Sequence, residues 1–161
     1  MSRAARWLPD TRRWLGSTSN RTFIVWPLLL FAAEAIWQGG WPRLHLEATP
    51  LLAWGYLQYR LVGAFRLREG GGGPGLSNPP ERLVVHGPYR YMRNPMYLGH
   101  LIFFAGLALT LGSWLGAAVL VFHAVWFDRR ARGDERHLLE LFGEPYREYC
   151  AHVKRWLGRN A

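Results

Sequence analysis

The chain has 161 residues, half of them hydrophobic, and carries a formal net charge of +9. This length predicts a single domain covering residues 1–161. A basic and apolar composition fits three classes of protein: a nucleic-acid binder, a membrane protein, or a basic subunit packed into a complex. The single cysteine, Cys150, excludes an internal disulfide and a cysteine-based zinc cluster.

In chain order, the hydrophobic residues form blocks that are typical of membrane-spanning helices. Residues 22–37 and 50–65 each contain one charged side chain, Glu34 and Arg60. Residues 96–127 contain no Asp, Glu, Lys or Arg, and a Leu-Gly-Ser-Trp turn sequence interrupts them near the middle. Because a spanning helix needs about 20 apolar residues, this last block suits two short spans.

The blocks predict an all-α integral membrane protein with about four transmembrane helices, the last two forming a tight helical hairpin, followed by cytoplasmic C-terminal helices. The expected spans are about residues 22–38, 50–66, 96–111 and 114–127, with a cytoplasmic loop at 66–95 and a cytoplasmic tail at 128–161. A soluble bundle of very apolar helices is the alternative, because each apolar segment is short.

The positive charges support this topology. With Arg60 inside a span, eighteen of the twenty lysines and arginines fall on one side and only Arg43 on the other. Cytoplasmic loops carry such an excess, so we expect a multi-pass protein of a bacterial inner membrane with both termini cytoplasmic. Anionic membrane lipids would be partners of the basic segments. A nucleic-acid partner is disfavoured because its binding site would be a surface stripe, and no obligate protein partner is evident.

Two polar segments remain to be explained. The sequence HGPYRYMRNPMYLGH, residues 86–100, places tyrosines and cations where the third apolar block begins. The glycine-rich stretch 70–75 is either a plain linker or a mobile lid over a site, and both interpretations stay open. The histidines show no spacing typical of metal ligands, so no metal site is predicted.

Two motifs resemble the isoprenylcysteine carboxyl methyltransferase and phospholipid methyltransferase superfamily. ERLVVHGPYRYMRNPMYLG, residues 81–99, is followed by the predicted hairpin and then by DRRARGDERHLLELFGEPYREY, residues 128–149. The resemblance implies an integral-membrane methyltransferase that uses S-adenosylmethionine and releases S-adenosylhomocysteine. It covers about residues 70–157 and leaves the first two apolar blocks unmatched.

The resemblance also assigns roles by position. Residues expected to bind the cofactor are Leu83, Val84, Tyr89, Asn94, Pro95, Met96, Tyr97, Asp134 and Glu135. Residues expected to be catalytic are Arg130, which matches an acceptor-contacting arginine, Arg93 and Glu135. Asp134 departs from the usual Glu-Glu pair by one methylene. Arg93 has a second interpretation, as an anchor to lipid phosphate.

The acceptor is the least determined part of the prediction. Arg130 and Asp134 are four residues apart and would share one helix face, so a cation for the acceptor and an acid for the donor would meet in one cleft. A lipophilic, prenyl-cysteine-like carboxylate is therefore the first choice, because Arg130 would pair with it. A phospholipid amine and a thiol are the alternatives among enzymes. The alternative of another class is a non-catalytic membrane subunit or scaffold.

Overall fold

A computed structural model describes residues 14–73 and 78–160, which are helical and contain no named strand. A short helix at Thr18–Asn20 continues through a π-helical stretch, Arg21–Val25, into α1. The five main helices are α1 (Trp26–Gln38), α2 (Thr49–Gly70), α3 (Pro95–Leu111), α4 (Trp114–Phe142) and α5 (Glu144–His152). Residues 1–13, 74–77 and 161 lie outside the described part.

The helix ends follow from the local sequence. Prolines occupy the first turn of α1, α2, α3 and α5, where a missing N–H costs nothing. α3 ends at Gly112, which adopts a left-handed conformation with φ of 56°. The next residue, Ser113, caps α4 by accepting a hydrogen bond from the Gly116 amide at 2.9 Å. These two residues turn the chain back, so α3 and α4 form a hairpin.

Close packing between α2 and α3 depends on glycines. A β-carbon at Gly55 would lie 2.5 Å from the backbone nitrogen of Phe103, and one at Gly99 would lie 2.9 Å from the backbone of Tyr59. The main core lies beside this contact and consists of Leu30, Phe104, Leu107, Leu111, Val119 and Phe127. A smaller core around Tyr146, Tyr149 and Val153 joins α5 to the segment that precedes α3.

The prediction of an integral membrane protein with four transmembrane helices is wrong. Among residues 14–73 and 78–160, no helix combines the length and the apolar character that crossing a bilayer requires. α1 and α3 have 13 and 17 residues, against the roughly 20 that a span needs. α2 and α4 have 22 and 29 residues, but polar and charged side chains interrupt their apolar stretches. The predicted multi-pass topology depended on those spans.

The C-terminal segment after α5 folds back onto the first motif. The Arg93 amide donates to the Lys154 carbonyl and the Gly158 amide donates to the Tyr91 carbonyl, each at 3.0 Å. The Trp156 indole nitrogen donates to Asp128 of α4, also at 3.0 Å. The chain entering α3 is therefore held between α4 and the C-terminal segment.

The glycine-rich stretch 70–75 is only partly described. Its beginning is fixed, because the Gly70 carbonyl accepts hydrogen bonds from the amides of Glu81 and Arg82. Residues 74–77 fall outside the described residues. The choice between a lid and a linker for this stretch therefore stays open.

Candidate functional site

A cavity at one end of the helix assembly brings together most of the residues that the motifs singled out. Its walls come from the short helix Thr18–Asn20, from α2, α3, α4 and α5, and from the segment before α3. The predicted site residues that line it are Leu83, Val84, Tyr89, Arg93, Asn94, Met96, Tyr97, Arg130 and Asp134. Two predicted residues, Pro95 and Glu135, do not line it.

Tyr97 links the two motifs at the centre of the cavity. Its hydroxyl donates a hydrogen bond to the Asp134 carboxylate. It also accepts one from Nε of Arg130 at 3.0 Å. Arg130 and Asp134 stand on one face of α4, one turn apart, as their spacing predicts. The result is a row of a cation, a phenol and a carboxylate along the cavity wall.

The protonation of Tyr97 limits what it can do. Burial raises the pKa of Tyr97 well above its usual value, and the neighbouring Asp134 charge raises it further. At neutral pH the side chain is therefore a neutral hydrogen-bond donor and does not act as a general base. Asp134 is the single carboxylate among the described residues lining the cavity.

Glu135 lies outside the cavity, in a largely buried ion cluster. Arg155 binds it through two hydrogen bonds of 2.9 Å, one from Nε and one from Nη2. Arg93 lies 3.2 Å from the same carboxylate, and the Asn94 amide donates to it at 3.1 Å. Only 12% of each of the Glu135 and Arg93 side chains is exposed. These contacts hold two cavity residues in place, whereas the predicted cofactor and catalytic roles of Glu135 stay untested.

Pro95 has a structural position as well. It is buried as the first residue of α3, and its carbonyl accepts a hydrogen bond from Gln58 of α2 at 3.0 Å. Its ring begins the helix, since proline fits the first helical position. Pro95 therefore sets the direction from which its neighbours, Asn94 and Met96, reach the cavity.

One wall of the cavity is aromatic and comes from α5. The Tyr149 hydroxyl donates to the Tyr89 carbonyl at 2.7 Å, which ties α5 to the segment before α3. Burial raises the pKa of Tyr89 to about 12, although Arg66 opposes the shift. Leu83 and Phe142 pack against the same cluster. This wall is neutral and rich in aromatic side chains, which suits a bound ring system.

Sequence reasoning missed several residues that line the cavity. They include His100, Tyr59, Ser19, Arg66 and Arg82. His100 follows Met96 and Tyr97 by four and three residues, so helical spacing on α3 places it on their face. Tyr59 and Ser19 come from segments that the motifs do not cover, so no signal in the sequence pointed to them. Arg66, Arg82, Arg93 and Arg130 give the lining a positive excess over Asp134.

A metal centre finds no support in the described residues. Among residues 14–73 and 78–160, no three His, Cys, Asp or Glu side chains are grouped to hold a metal ion. The polar side chains of the cavity carry guanidinium, phenol, hydroxyl, imidazole, amide and carboxylate groups, which bind organic ligands through hydrogen bonds.

Comparisons with known proteins match part of the chain. Residues 74–145 match a family model described as phospholipid methyltransferase. A protein-S-isoprenylcysteine O-methyltransferase of Schizosaccharomyces pombe is 33% identical over 79 residues, which are 47% of this chain and 33% of that protein. Protein-S-isoprenylcysteine O-methyltransferase A of Arabidopsis thaliana is 38% identical over 73 residues, 44% of this chain and 36% of that protein. No solved structure matches the chain.

A thiol-directed relative also matches. Methanethiol S-methyltransferase 1 of Bradyrhizobium diazoefficiens is 35% identical over 75 residues, 46% of this chain and 25% of that protein. The chain thus spans about a third or less of the length of these relatives. The matches confirm the resemblance to the isoprenylcysteine carboxyl methyltransferase and phospholipid methyltransferase superfamily that the two motifs indicated.

Proposed function

We propose that this protein transfers a methyl group from S-adenosylmethionine to a lipophilic acceptor, most directly a prenyl-cysteine-like carboxylate. The supporting observation is the row Arg130–Tyr97–Asp134, which joins the two distant motifs at the wall of one cavity. A separate acid and cation on that wall suit a cationic donor and an anionic acceptor held side by side.

The cavity residues fit the donor. Asp134 offers a carboxylate to a cationic group, and a charge-assisted hydrogen bond of this kind is roughly twice as strong as a neutral one. Nε of Arg93 is buried without a hydrogen-bond partner among the described residues, so it has a donor to offer to an oxygen of the ligand. Leu83, Val84 and Tyr89 supply an apolar and aromatic surface for the adenine. S-adenosylmethionine would supply a methyl group on a positively charged sulfur.

Arg130 supports a carboxylate as the acceptor. It is exposed, and its Nη atoms have no hydrogen-bond partner among the described residues, while Nε is fixed by Tyr97. A guanidinium held in this way presents a planar fork that matches a carboxylate. A carboxylate is ionised at neutral pH and needs no base, which agrees with a cavity whose tyrosine stays protonated. What remains for the protein is to align the acceptor and exclude water.

Other acceptors are supported by the comparisons. The matched family model is named for phospholipids, and one relative is named for methanethiol. An amine or a thiol must lose its proton before or during attack, and Asp134 is the one described carboxylate of the lining that is available to accept it. A non-catalytic scaffold would need none of these groups and would not bind S-adenosylmethionine.

The test measures methyl transfer to three acceptors by monitoring the formation of S-adenosylhomocysteine. Purified protein is given S-adenosylmethionine with N-acetyl-S-farnesylcysteine, phosphatidylethanolamine or a long-chain thiol, at pH values from 6 to 8. A carboxylate acceptor predicts product with the farnesylcysteine at a rate that is flat across this range. A rate that climbs steeply with pH on the amine or the thiol would contradict the carboxylate and support that alternative. No product with any of the three would contradict the proposal.

Arg130→Lys separates the acceptor from the donor. A lysine keeps the charge but loses the planar fork, so the KM for the farnesylcysteine should rise or kcat should fall. The affinity for S-adenosylmethionine should stay nearly unchanged. The matched control is Arg129→Lys, which changes the same residue type one position away and outside the cavity. Equal effects of the two substitutions would contradict a role for Arg130 at the acceptor.

A further inference from the structure

The inner end of the cavity differs from its charged wall. His100 lies one turn further along α3 than Tyr97 and is only 3% exposed. Beside it, the Tyr59 hydroxyl is hydrogen-bonded to the Ser19 hydroxyl. The rings of Phe23 and Phe127 pack against the imidazole, with centroid separations of 5.0 and 5.2 Å. This end of the cavity is therefore aromatic and carries hydroxyl groups and an imidazole.

His100 has an unused hydrogen-bonding atom. Its Nδ1 is buried and has no hydrogen-bond partner among the described residues. Buried polar atoms in native proteins are nearly always hydrogen-bonded, so an exception indicates a missing ligand or a water molecule. Burial also lowers the pKa of His100 to about 3, which keeps the imidazole neutral. A neutral imidazole donates one hydrogen bond and accepts another, so it suits an uncharged polar group.

We infer that His100 is a second contact point for the methyl acceptor, where it hydrogen-bonds an uncharged amide of that molecule. The inference rests on the proposed function and adds a preference for acceptors that carry an amide. The Tyr97 ring neighbours both contact points: its centroid is 6.5 Å from that of His100, and its hydroxyl accepts a hydrogen bond from Arg130. An acceptor with its carboxylate at Arg130 and its amide at His100 would lie along the Tyr97 ring.

Charge determines which group goes where. His100 is neutral and lies among aromatic rings, so a carboxylate or an ammonium there would be buried without a counter-charge, which is strongly unfavourable. Arg130, by contrast, is a charged and exposed side chain that contacts the Tyr97 hydroxyl. The uncharged group of the acceptor therefore belongs at the inner end. A site built to hydrogen-bond a group rejects analogues that lack it, so His100 should determine specificity.

The test compares two ligands that differ in one amide. N-acetyl-S-farnesylcysteine carries the acetamide, and S-farnesyl-3-mercaptopropionate lacks it but keeps the farnesyl chain and the carboxylate. Their dissociation constants are measured on protein loaded with S-adenosylhomocysteine. The protein should prefer the acetamide compound by about three- to tenfold, the worth of one hydrogen bond. His100→Leu should abolish the preference. His100→Asn, whose side-chain amide can take the place of Nδ1, should retain part of it.

His123→Leu is the matched control. His123 is a buried histidine of α4 outside the cavity lining, and its Nδ1 is already hydrogen-bonded to the Val119 carbonyl at 2.8 Å. The preference should survive this substitution. A protein that binds both compounds equally, binds neither, or keeps its preference in His100→Leu overturns the inference. Binding of S-adenosylhomocysteine is measured first, so failure of the donor site is distinguished from failure of the His100 contact. If the variants do not fold, equal wild-type affinities for the two compounds still overturn the inference.

Discussion

Replacing Glu135 with glutamine should lower the stability of the protein and leave its affinity for S-adenosylmethionine nearly unchanged. The substitution keeps the shape of the side chain but leaves Arg93 and Arg155 facing a neutral amide, with 12% and 24% of their side chains exposed. Removing one partner of a buried ion pair costs about 3–5 kcal/mol. The remaining amide oxygen can still accept one hydrogen bond, so we expect the lower end, about 3 kcal/mol. For a chain of this size that loss lowers Tm by about 6–12 °C.

Asp134→Asn should give the opposite pattern. Its carboxylate accepts from Tyr97, and the amide oxygen of asparagine can do the same, so stability should change by less than about 1 kcal/mol. The affinity for S-adenosylmethionine should fall about ten- to a hundredfold, since a charge-assisted hydrogen bond of about 1.5–3 kcal/mol is lost. In folded Glu135→Gln protein the affinity should change less than threefold, about 0.7 kcal/mol or less.

The assay is thermal and chemical unfolding of both variants, with S-adenosylmethionine titrated under conditions where each is folded. Glu140→Gln is the control, because Glu140 is an exposed carboxylate on the same helix, and it should alter neither quantity. Glu135→Gln protein with wild-type stability would refute the view that Glu135 is structural. A loss of donor affinity equal to that of Asp134→Asn would restore Glu135 to the cofactor site.

Three further predictions concern stability. Gly55→Ala should destabilise the fold by about 1–3 kcal/mol, because its β-carbon would meet the α3 backbone, as chemical unfolding would show. Gly133→Ala should stabilise it by about 0.5–1 kcal/mol, since nothing lies within 4 Å and alanine favours the helix; a loss would contradict the packing of α4. In the unfolded chain His100 binds a proton as the pH falls below the usual histidine pKa of about 6.5. In the folded protein burial lowers this pKa to about 3, so His100 stays neutral at pH 5. The free energy of unfolding should therefore fall by about 2 kcal/mol from pH 7 to pH 5. That decline should shrink in His100→Asn, and an unchanged pH dependence would show that His100 does not cause it.

The resemblance assigned the site residues by position, and two local relations among them were also predictable from spacing alone. Arg130 and Asp134 share a face of α4 because they are four residues apart, and the Asn94-Pro95 pair starts α3 where a proline can begin a helix. Both relations are local in the chain. They hold whatever surrounds the helices, so sequence alone sufficed.

The position of Glu135 was not predictable in the same way. On a helix, Glu135 points about 100° away from Asp134, but only the fold shows that the C-terminal segment brings Arg155 to that side. The contact joins residues 20 positions apart across α5 and a turn. Pattern reasoning treated the two acids as one pair, whereas the fold separates them into a cavity residue and an ion-cluster residue.

The prediction of membrane spans failed for a related reason. Composition identified apolar blocks, and the helices cover those blocks but are not uniformly apolar. α4 continues from its apolar half into the charged second motif, and α2 carries tyrosines, glycines, a glutamine and an arginine within its apolar stretch. A membrane-spanning helix must be both long and apolar. No helix among the described residues has both properties.

The central claim is that the cavity around Tyr97 binds the methyl donor, and calorimetric titration of S-adenosylmethionine into the purified protein tests it most directly. We predict saturable binding of one molecule per chain. Asp134→Asn should weaken this binding by at least about tenfold, the equivalent of about 1.4 kcal/mol, whereas Glu140→Gln should leave it unchanged. Absence of binding to folded wild-type protein, or equal affinity in Asp134→Asn, would contradict the claim.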